Sequence, residues 1–286
     1  MVEEEEKEMS FLDHLEELRW HLLRGLAAVV ALTVWAFIRK DIVVDQVLLG
    51  PTSTDFWTYR MLCRLGEALE TSGLCVDKLD FILQNRTIGG QFTSHITISL
   101  VTGLVLGFPY LFWEVWRFIR PGLLQAERKL TRGAVLFVTA LFAAGVAFGY
   151  YVLAPMSINF LISYDVSEQN RIADTIDLGN YLSMLVSIVL ACGVMFELPA
   201  LMLVLARGGI VSARLLRQFR KHAFVVILIV AAVLTPSPDV ISQLILAFPL
   251  YMLYELSILL AAGADRARRR QVLAQAYAEA EAEPGS

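Results

Sequence analysis

The ionisable residue with the strongest functional signal is Glu197, which lies inside the apolar run Cys192-Gly-Val-Met-Phe-Glu-Leu-Pro199. If Arg207 marks the cytoplasmic end of this helix, Glu197 lies about 15 Å below it, near the middle of a membrane. A carboxylate at that depth costs about 2.5–3.5 kcal/mol on insertion scales. We therefore interpret Glu197 as facing a water-filled cavity or a polar group of a partner. The alternative is a protonated carboxyl bonded to a neighbouring helix.

Two further glutamates, Glu17 and Glu127, lie beside arginines in polar segments that border apolar runs. Glu17 belongs to residues 10–22, whose spacing of apolar and polar side chains predicts an amphipathic helix at the membrane interface. A carboxylate binds the planar guanidinium of arginine through two hydrogen bonds, and arginine does not lose its proton. Taken alone, however, the pattern favours solvated charge pairs with Arg19 and Arg128.

The chemistry of hydrolases and of coupled transport is not indicated. The sequence has no H-E-x-x-H or G-x-S-x-G motif and no paired intramembrane aspartates. A secondary transporter using Glu197 as a proton site predicts inverted repeats with paired broken helices, and no such symmetry is evident. No basic stripe with interleaved aromatic residues suggests nucleic acid. We expect no enzymatic activity, no metal and no cofactor.

These residues must be positioned by membrane helices. Of the 286 residues, 57% are hydrophobic and 18% are charged, against about one quarter charged in soluble domains. The excess hydrophobic residues fall in runs long enough to cross a bilayer, which takes about 20 residues. A segment of this kind is predicted to be a helix, because a helix satisfies all the backbone hydrogen bonds within itself. The fifth run is short, so its helix must thin the bilayer locally or lie where the protein already does so. The six predicted helices are 22–38, 92–113, 133–153, 181–206, 223–235 and 240–260.

The distribution of lysine and arginine predicts the orientation. Basic residues are concentrated in the connections 114–132 and 207–222 and in the tail 265–286, whereas the connection 154–180 is acidic. The positive-inside rule therefore predicts that both termini are cytoplasmic and that the loop 39–91 lies outside. Residues 1–9 are predicted to be an acidic disordered segment, and 10–264 a single all-α membrane domain.

The outer loop contains Cys63 and Cys75 on the oxidising side of the membrane. A disulfide between them closes a loop of about 13 residues and constrains the unfolded chain by about 3 kcal/mol. Two free thiols that share the loop are the alternative. Near the sixth run, Asp239 follows a proline and is interpreted as a helix cap, and Gln243 as a hydrogen-bonding residue between helices.

Two segments at the predicted cytoplasmic face resemble those of the TatC family, the multispanning subunit of the twin-arginine translocase. His14-Leu-Glu-Glu-Leu-Arg19 is similar to the H-L-x-E-L-R segment that enters the first helix. Trp116-Arg-Phe-Ile-Arg-Pro-Gly-Leu123, followed by Glu127-Arg128, is similar to W-x-F-I-x-P-x-L…E-R of the first cytoplasmic loop.

The membrane part carries two further similarities to the same family. Phe196-Glu-Leu-Pro199 matches F-E-x-P, and Leu234-Thr-Pro-Ser-Pro-Asp239, with Ser242-Gln243 and Pro249, matches L-T-P-x-D…S-Q…P. Each motif is weak alone, but their order and spacing agree with the predicted topology. The resemblance covers nearly the whole chain apart from the outer loop and the tail.

The resemblance implies a concave, glove-like bundle of six transmembrane helices in a bacterial inner membrane. It implies that the chain recognises twin-arginine signal peptides and nucleates export of folded proteins, driven by the proton-motive force. The implied signal-peptide contacts are Glu17, Glu127, Arg19, Phe118, Pro121 and Arg128. The implied contacts with TatA-like and TatB-like single-span partners are Glu197, Gln243 and Pro51, and Asp239 is grouped with them. Self-association in the receptor complex is also implied.

Overall fold

The computed structural model describes residues 11–68, 75, 81–119, 131–163, 175–235 and 240–282. Two short strands, β1 (Ile82–Gln84) and β2 (Thr175–Asp177), pair with each other. The remaining regular structure of these residues is helical. The main helices are α1 (Phe11–Ile38), α2 (Trp57–Ala68), α3 (Gly90–Ile119), α4 (Thr131–Phe148), α5 (Ala154–Ser163), α6 (Leu178–Met195), α7 (Leu198–Arg207), α8 (Ala213–Gln218), α9 (Arg220–Leu234) and α10 (Val240–Ala282).

Five stretches of these helices are long and apolar enough to cross a membrane: Glu16–Ile38, Gly90–Phe118, Gly133–Ser163, Leu178–Arg207 and Gln243–Ala274. The predicted fifth segment corresponds to α9, whose 15 residues rise only roughly 22 Å. Large apolar side chains lie on the exposed surface of the helices, among them Leu136 and Phe248. Such a surface suits lipid rather than water.

The described chain divides into two compact units. The single membrane domain 10–264 stays a prediction. The first unit comprises residues 1–50, 83–140 and 176–182, and its main contact is between α1 and α3. The two helices approach closely at glycines. A Cβ atom on Gly103 would lie 2.6 Å from the backbone nitrogen of Thr33, and one on Gly107 would lie 3.3 Å from the Cα of Val29. Small residues allow such close packing in membranes.

The second unit comprises residues 51–82, 141–175 and 183–286. Its core is a stripe of α10 side chains about four residues apart, which include the fully buried Leu246, Leu250 and Ile258. They pack in one cluster with Ala206 of α7 and Ala231 of α9. This spacing follows one face of a helix, so the stripe turns a single side of α10 toward its neighbours.

The predicted helix 181–206 is two helices in the structure. α6 ends at Met195, Phe196 and Glu197 form a turn, and α7 begins at Leu198 with a proline in its first turn. Proline is tolerated there because the first amide groups of a helix have no acceptor within it. The interruption places Glu197 at the junction of two helices rather than on a continuous one.

Cys63 of α2 and Cys75 form a disulfide, and Cys192 is a buried free thiol. Nearby, the hydroxyl of Tyr59 donates to the carbonyl of Pro155 at 3.0 Å and lies 3.4 Å from that of Pro51. Burial raises the pKa of the Tyr59 hydroxyl. Tyr59, in the predicted outer loop, therefore contacts Pro155 within the second unit.

Candidate functional site

Glu17 lies near the N-terminal end of α1 with 42% of its side chain exposed. Its Oε1 atom is 3.9 Å from Nε2 of His21, one helical turn further along. Arg19 contacts Glu16 at 4.0 Å and the ring of Trp20, so the pairing of Glu17 with Arg19 expected from the sequence alone gives way to a pairing with Glu16. Glu17 therefore presents a solvent-accessible carboxylate with the imidazole of His21 close to one of its oxygens.

His21 connects this end of α1 to α3. Its Nδ1 atom donates a hydrogen bond of 2.5 Å to Oε2 of Glu114, a residue that is only 2% exposed. The ring of Phe118 is tilted toward that of His21, with 6.4 Å between centroids. The sequence pattern assigned no role to Glu114. The signal that would have found it is an ionisable residue within an otherwise apolar helix.

The structure brings two of the predicted signal-peptide contacts, Glu17 and Phe118, to the same histidine. Pro121, Glu127 and Arg128 lie outside the described residues. The pairing of Glu17 with Glu127 in one pocket thus stays a prediction.

Glu197 is the centre of a second candidate site. It is half-buried, and its Oε1 has no hydrogen-bond partner within the described ranges. The carboxyl group has a hydrogen bond with the backbone of Phe142. A buried oxygen without a partner is costly and rare, so it marks a position that another molecule or a water can satisfy.

The other predicted partner contacts have different surroundings. Gln243 donates from Nε2 to the carbonyl of Leu228 at 2.9 Å, which links α10 to α9. Pro51 is buried in the turn Gly50–Thr52. Asp239, interpreted as a helix cap, lies outside the described residues. Within the part of the chain that the structure describes, no cluster of three or more histidine, cysteine, aspartate or glutamate residues is suited to a metal ion.

A cavity of about 610 Å³ opens at the opposite end of the α1–α3 pair, lined by Lys40, Asp45 and His95 among others. The helix from Glu17 to Ile38 rises roughly 32 Å, so this cavity is remote from the glutamate site. None of the predicted site residues lines it.

Long apolar helices with carboxylates buried or half-buried between them define a multi-pass integral membrane protein. The family model described as "Sec-independent protein translocase protein (TatC)" matches residues 13–249. The chain therefore belongs to the TatC family and is a twin-arginine translocase subunit of the inner membrane. The resemblance read from the motifs is confirmed.

Relatives and solved structures agree with this assignment. A TatC protein of Blattabacterium sp. subsp. Periplaneta americana is 37% identical over 90% of this chain and 96% of its own length. A TatC protein of Deinococcus radiodurans is 33% identical over 87% of this chain and 84% of its own. A crystal structure of the twin arginine translocase receptor TatC in DDM superposes with a TM-score of 0.65, at 27% identity, over 87% of this chain and 99% of that one.

Proposed function

We propose that this chain is the receptor that recognises twin-arginine signal peptides and nucleates the assembly that exports folded proteins across the inner membrane, driven by the proton-motive force. The observation that carries the proposal is the accessible Glu17 carboxylate beside His21, whose ring in turn contacts Phe118, within a family-matching segment. Membership of the TatC family supports the same role.

The chemistry of recognition is the pairing of two carboxylates with two guanidinium groups. Glu17 binds one arginine of the signal and Glu127 the other, with Arg19, Phe118, Pro121 and Arg128 shaping the surroundings. A hydrogen bond to a charged group contributes about 1.5–3 kcal/mol. Arginine offers a rigid two-pronged donor, whereas lysine is a point charge, so the pair discriminates Arg-Arg from Lys-Lys by geometry as well as charge.

The helices form a concave, glove-like bundle of six membrane spans with both termini in the cytoplasm. The five long apolar stretches, the similarity to solved TatC structures and the cytoplasmic excess of arginine and lysine support this arrangement. The short α9 completes the six by spanning a locally thinned bilayer.

The membrane part assembles with other subunits. Glu197, whose Oε1 finds no acceptor or donor in the described chain, contacts a polar group of a TatA-like or TatB-like partner. Gln243, Pro51 and Asp239 belong to the same partner surfaces. Copies of the chain also associate with one another in the receptor complex.

Photo-crosslinking from single positions tests the recognition site. A crosslinker at Leu18, next to Glu17, is expected to label a twin-arginine signal peptide and to lose most of that label with the twin-lysine peptide. A crosslinker at the exposed Trp57 of α2 is the matched control and is expected to label neither. Equal labelling of the two peptides from Leu18 would refute the proposed recognition.

A further inference from the structure

A buried hydrogen-bonded pair joins α1 to α3 beside Glu17. His21 donates from Nδ1 to Glu114, and these side chains are only 8% and 2% exposed. Tyr110, one turn before Glu114 on α3, gives the same carboxylate a second hydrogen bond. A carboxylate enclosed in this way requires such partners, because burying it without them is costly. The His21 ring is therefore held in one orientation by a group on the neighbouring helix.

The opposite edge of the same ring faces Glu17. The Nε2 atom of His21 is 3.9 Å from Oε1 of Glu17, whose side chain is 42% exposed. A single imidazole thus has one edge fixed in the interior and one edge directed at an accessible carboxylate. When both nitrogens carry a proton, the ring donates toward the two carboxylates at once.

We propose that His21 is a positioning residue of the signal-peptide site, fixed by Glu114 so that its Nε2 edge orders the Glu17 carboxylate for an incoming arginine. This inference rests on the proposed function, because it takes Glu17 as a ligand contact. His21 is itself buried and acts through Glu17. A glutamate that is already ordered loses less conformational entropy on binding, and this gain appears as affinity.

Two substitutions of His21 test the contacts of the two imidazole nitrogens separately. In His21→Asn the amide lies at the level of Nδ1 and reaches Glu114 but not Glu17. In His21→Gln the amide extends to the level of Nε2 and reaches Glu17. We expect His21→Asn to bind a twin-arginine peptide about three- to tenfold more weakly than wild type at near-wild-type thermal stability. We expect His21→Gln to be less stable, because Glu114 loses its partner, and yet to bind closer to wild type.

The measurement is peptide affinity and apparent unfolding temperature of the purified full chain in detergent. His222→Asn, at an exposed histidine of α9, is the matched control and is expected to change neither quantity. A purely structural role predicts that affinity follows stability, so affinity losses in the same order as the stability losses would overturn the proposal. Wild-type affinity in His21→Asn would overturn it as well.

The same experiment separates this inference from the proposed function. If wild type prefers the twin-arginine peptide to the twin-lysine one and Glu17→Gln loses that preference, recognition stands. Failure of the His21 variants then overturns only the positioning role. If wild type binds the two peptides with equal affinity, the proposed recognition function is refuted, and so is the positioning role that rests on it.

Discussion

Three glutamates within the membrane-spanning helices differ in how their charge is compensated. Glu114 accepts hydrogen bonds from His21 and Tyr110. Glu255 accepts hydrogen bonds from Arg220 at 2.6 Å and from Tyr251 at 3.2 Å. Glu197 has an oxygen that no described residue satisfies. Removal of either of the first two leaves another side chain without its partner, whereas removal of Glu197 takes away only a hydrogen bond with the backbone of Phe142. Glu197 is therefore the one of the three whose proposed role is contact with a partner rather than stability.

The Glu197→Ala variant is expected to fold with an apparent unfolding temperature close to that of wild type, because removal of a buried oxygen without a partner offsets the lost hydrogen bond with the backbone of Phe142. It is also expected to retain signal-peptide affinity and to lose co-purification with single-span partners. Glu255→Ala is the control, expected to lower stability by leaving Arg220 without its carboxylate. Wild-type co-purification of partners with Glu197→Ala would contradict the assignment of Glu197 to partner contact.

At the scale of helices, the register between α1 and α3 determines where the site residues meet. The backbones come together at Gly103 and Gly107, and Gly25 of α1 lies against Leu111. With this register, His21 lies opposite Glu114 although 93 residues separate them in the sequence. A shift of one helical turn, about 5.4 Å, would separate the pair.

Gly103→Leu is expected to lower the free energy of unfolding by about 1–3 kcal/mol, because a side chain there meets the Thr33 backbone and forces the helices apart. It is also expected to weaken peptide binding through the loss of the His21–Glu114 contact. The readouts are thermal unfolding in detergent and peptide affinity. Gly263→Leu is the control, since no atom lies within 4 Å of a Cβ there. Equal destabilisation by the two substitutions would refute the account of this interface.

Hydropathy located the helices but not their interruptions. Each of the six predicted apolar runs lies within helices of the structure, apart from the turn residues Phe196 and Glu197 and from Thr235, the residue that follows α9. Hydropathy does not report the π-helical stretch Gly149–Leu153 or the turn at Phe196–Glu197, because both lie inside otherwise continuous apolar runs. α10 continues to Ala282 because its C-terminal part is rich in alanine, arginine and glutamate, which favour helix without forming an apolar run.

Local pattern identified some site residues and not others. Glu17, Phe118 and Glu197 belong to short motifs that can be read from the chain itself. The contact of His21 with Glu114 joins two helices that are distant in sequence. It could not be predicted, because the periodicity along one helix does not report the register between two helices. The roles of all these site residues, and those of Glu127 and Asp239, stay predictions of the sequence.

At the scale of the whole molecule, the arginine-rich start of the tail and the cysteine pair of the outer loop are predicted to lie on opposite sides of the membrane. An impermeant thiol reagent applied to the outer side of intact cells is expected to label Cys63 and Cys75 after reduction. Without reduction it is expected to label neither, because both are in the disulfide. A cysteine introduced at Arg269 is expected to react only after the membrane is opened. Labelling of Arg269→Cys in intact cells would contradict the proposed topology.

The most direct test of the central claim is a double-mutant cycle between receptor and signal peptide. The affinities of wild type, Glu17→Gln and Glu127→Gln are measured for peptides in which each arginine in turn is replaced by lysine. We predict that each lysine weakens binding to wild type by about tenfold or more. We also predict that the affinity of Glu17→Gln no longer depends on one of the two arginines, and that the affinity of Glu127→Gln no longer depends on the other. Effects that simply add, with no coupling between either glutamate and either arginine, would contradict this prediction.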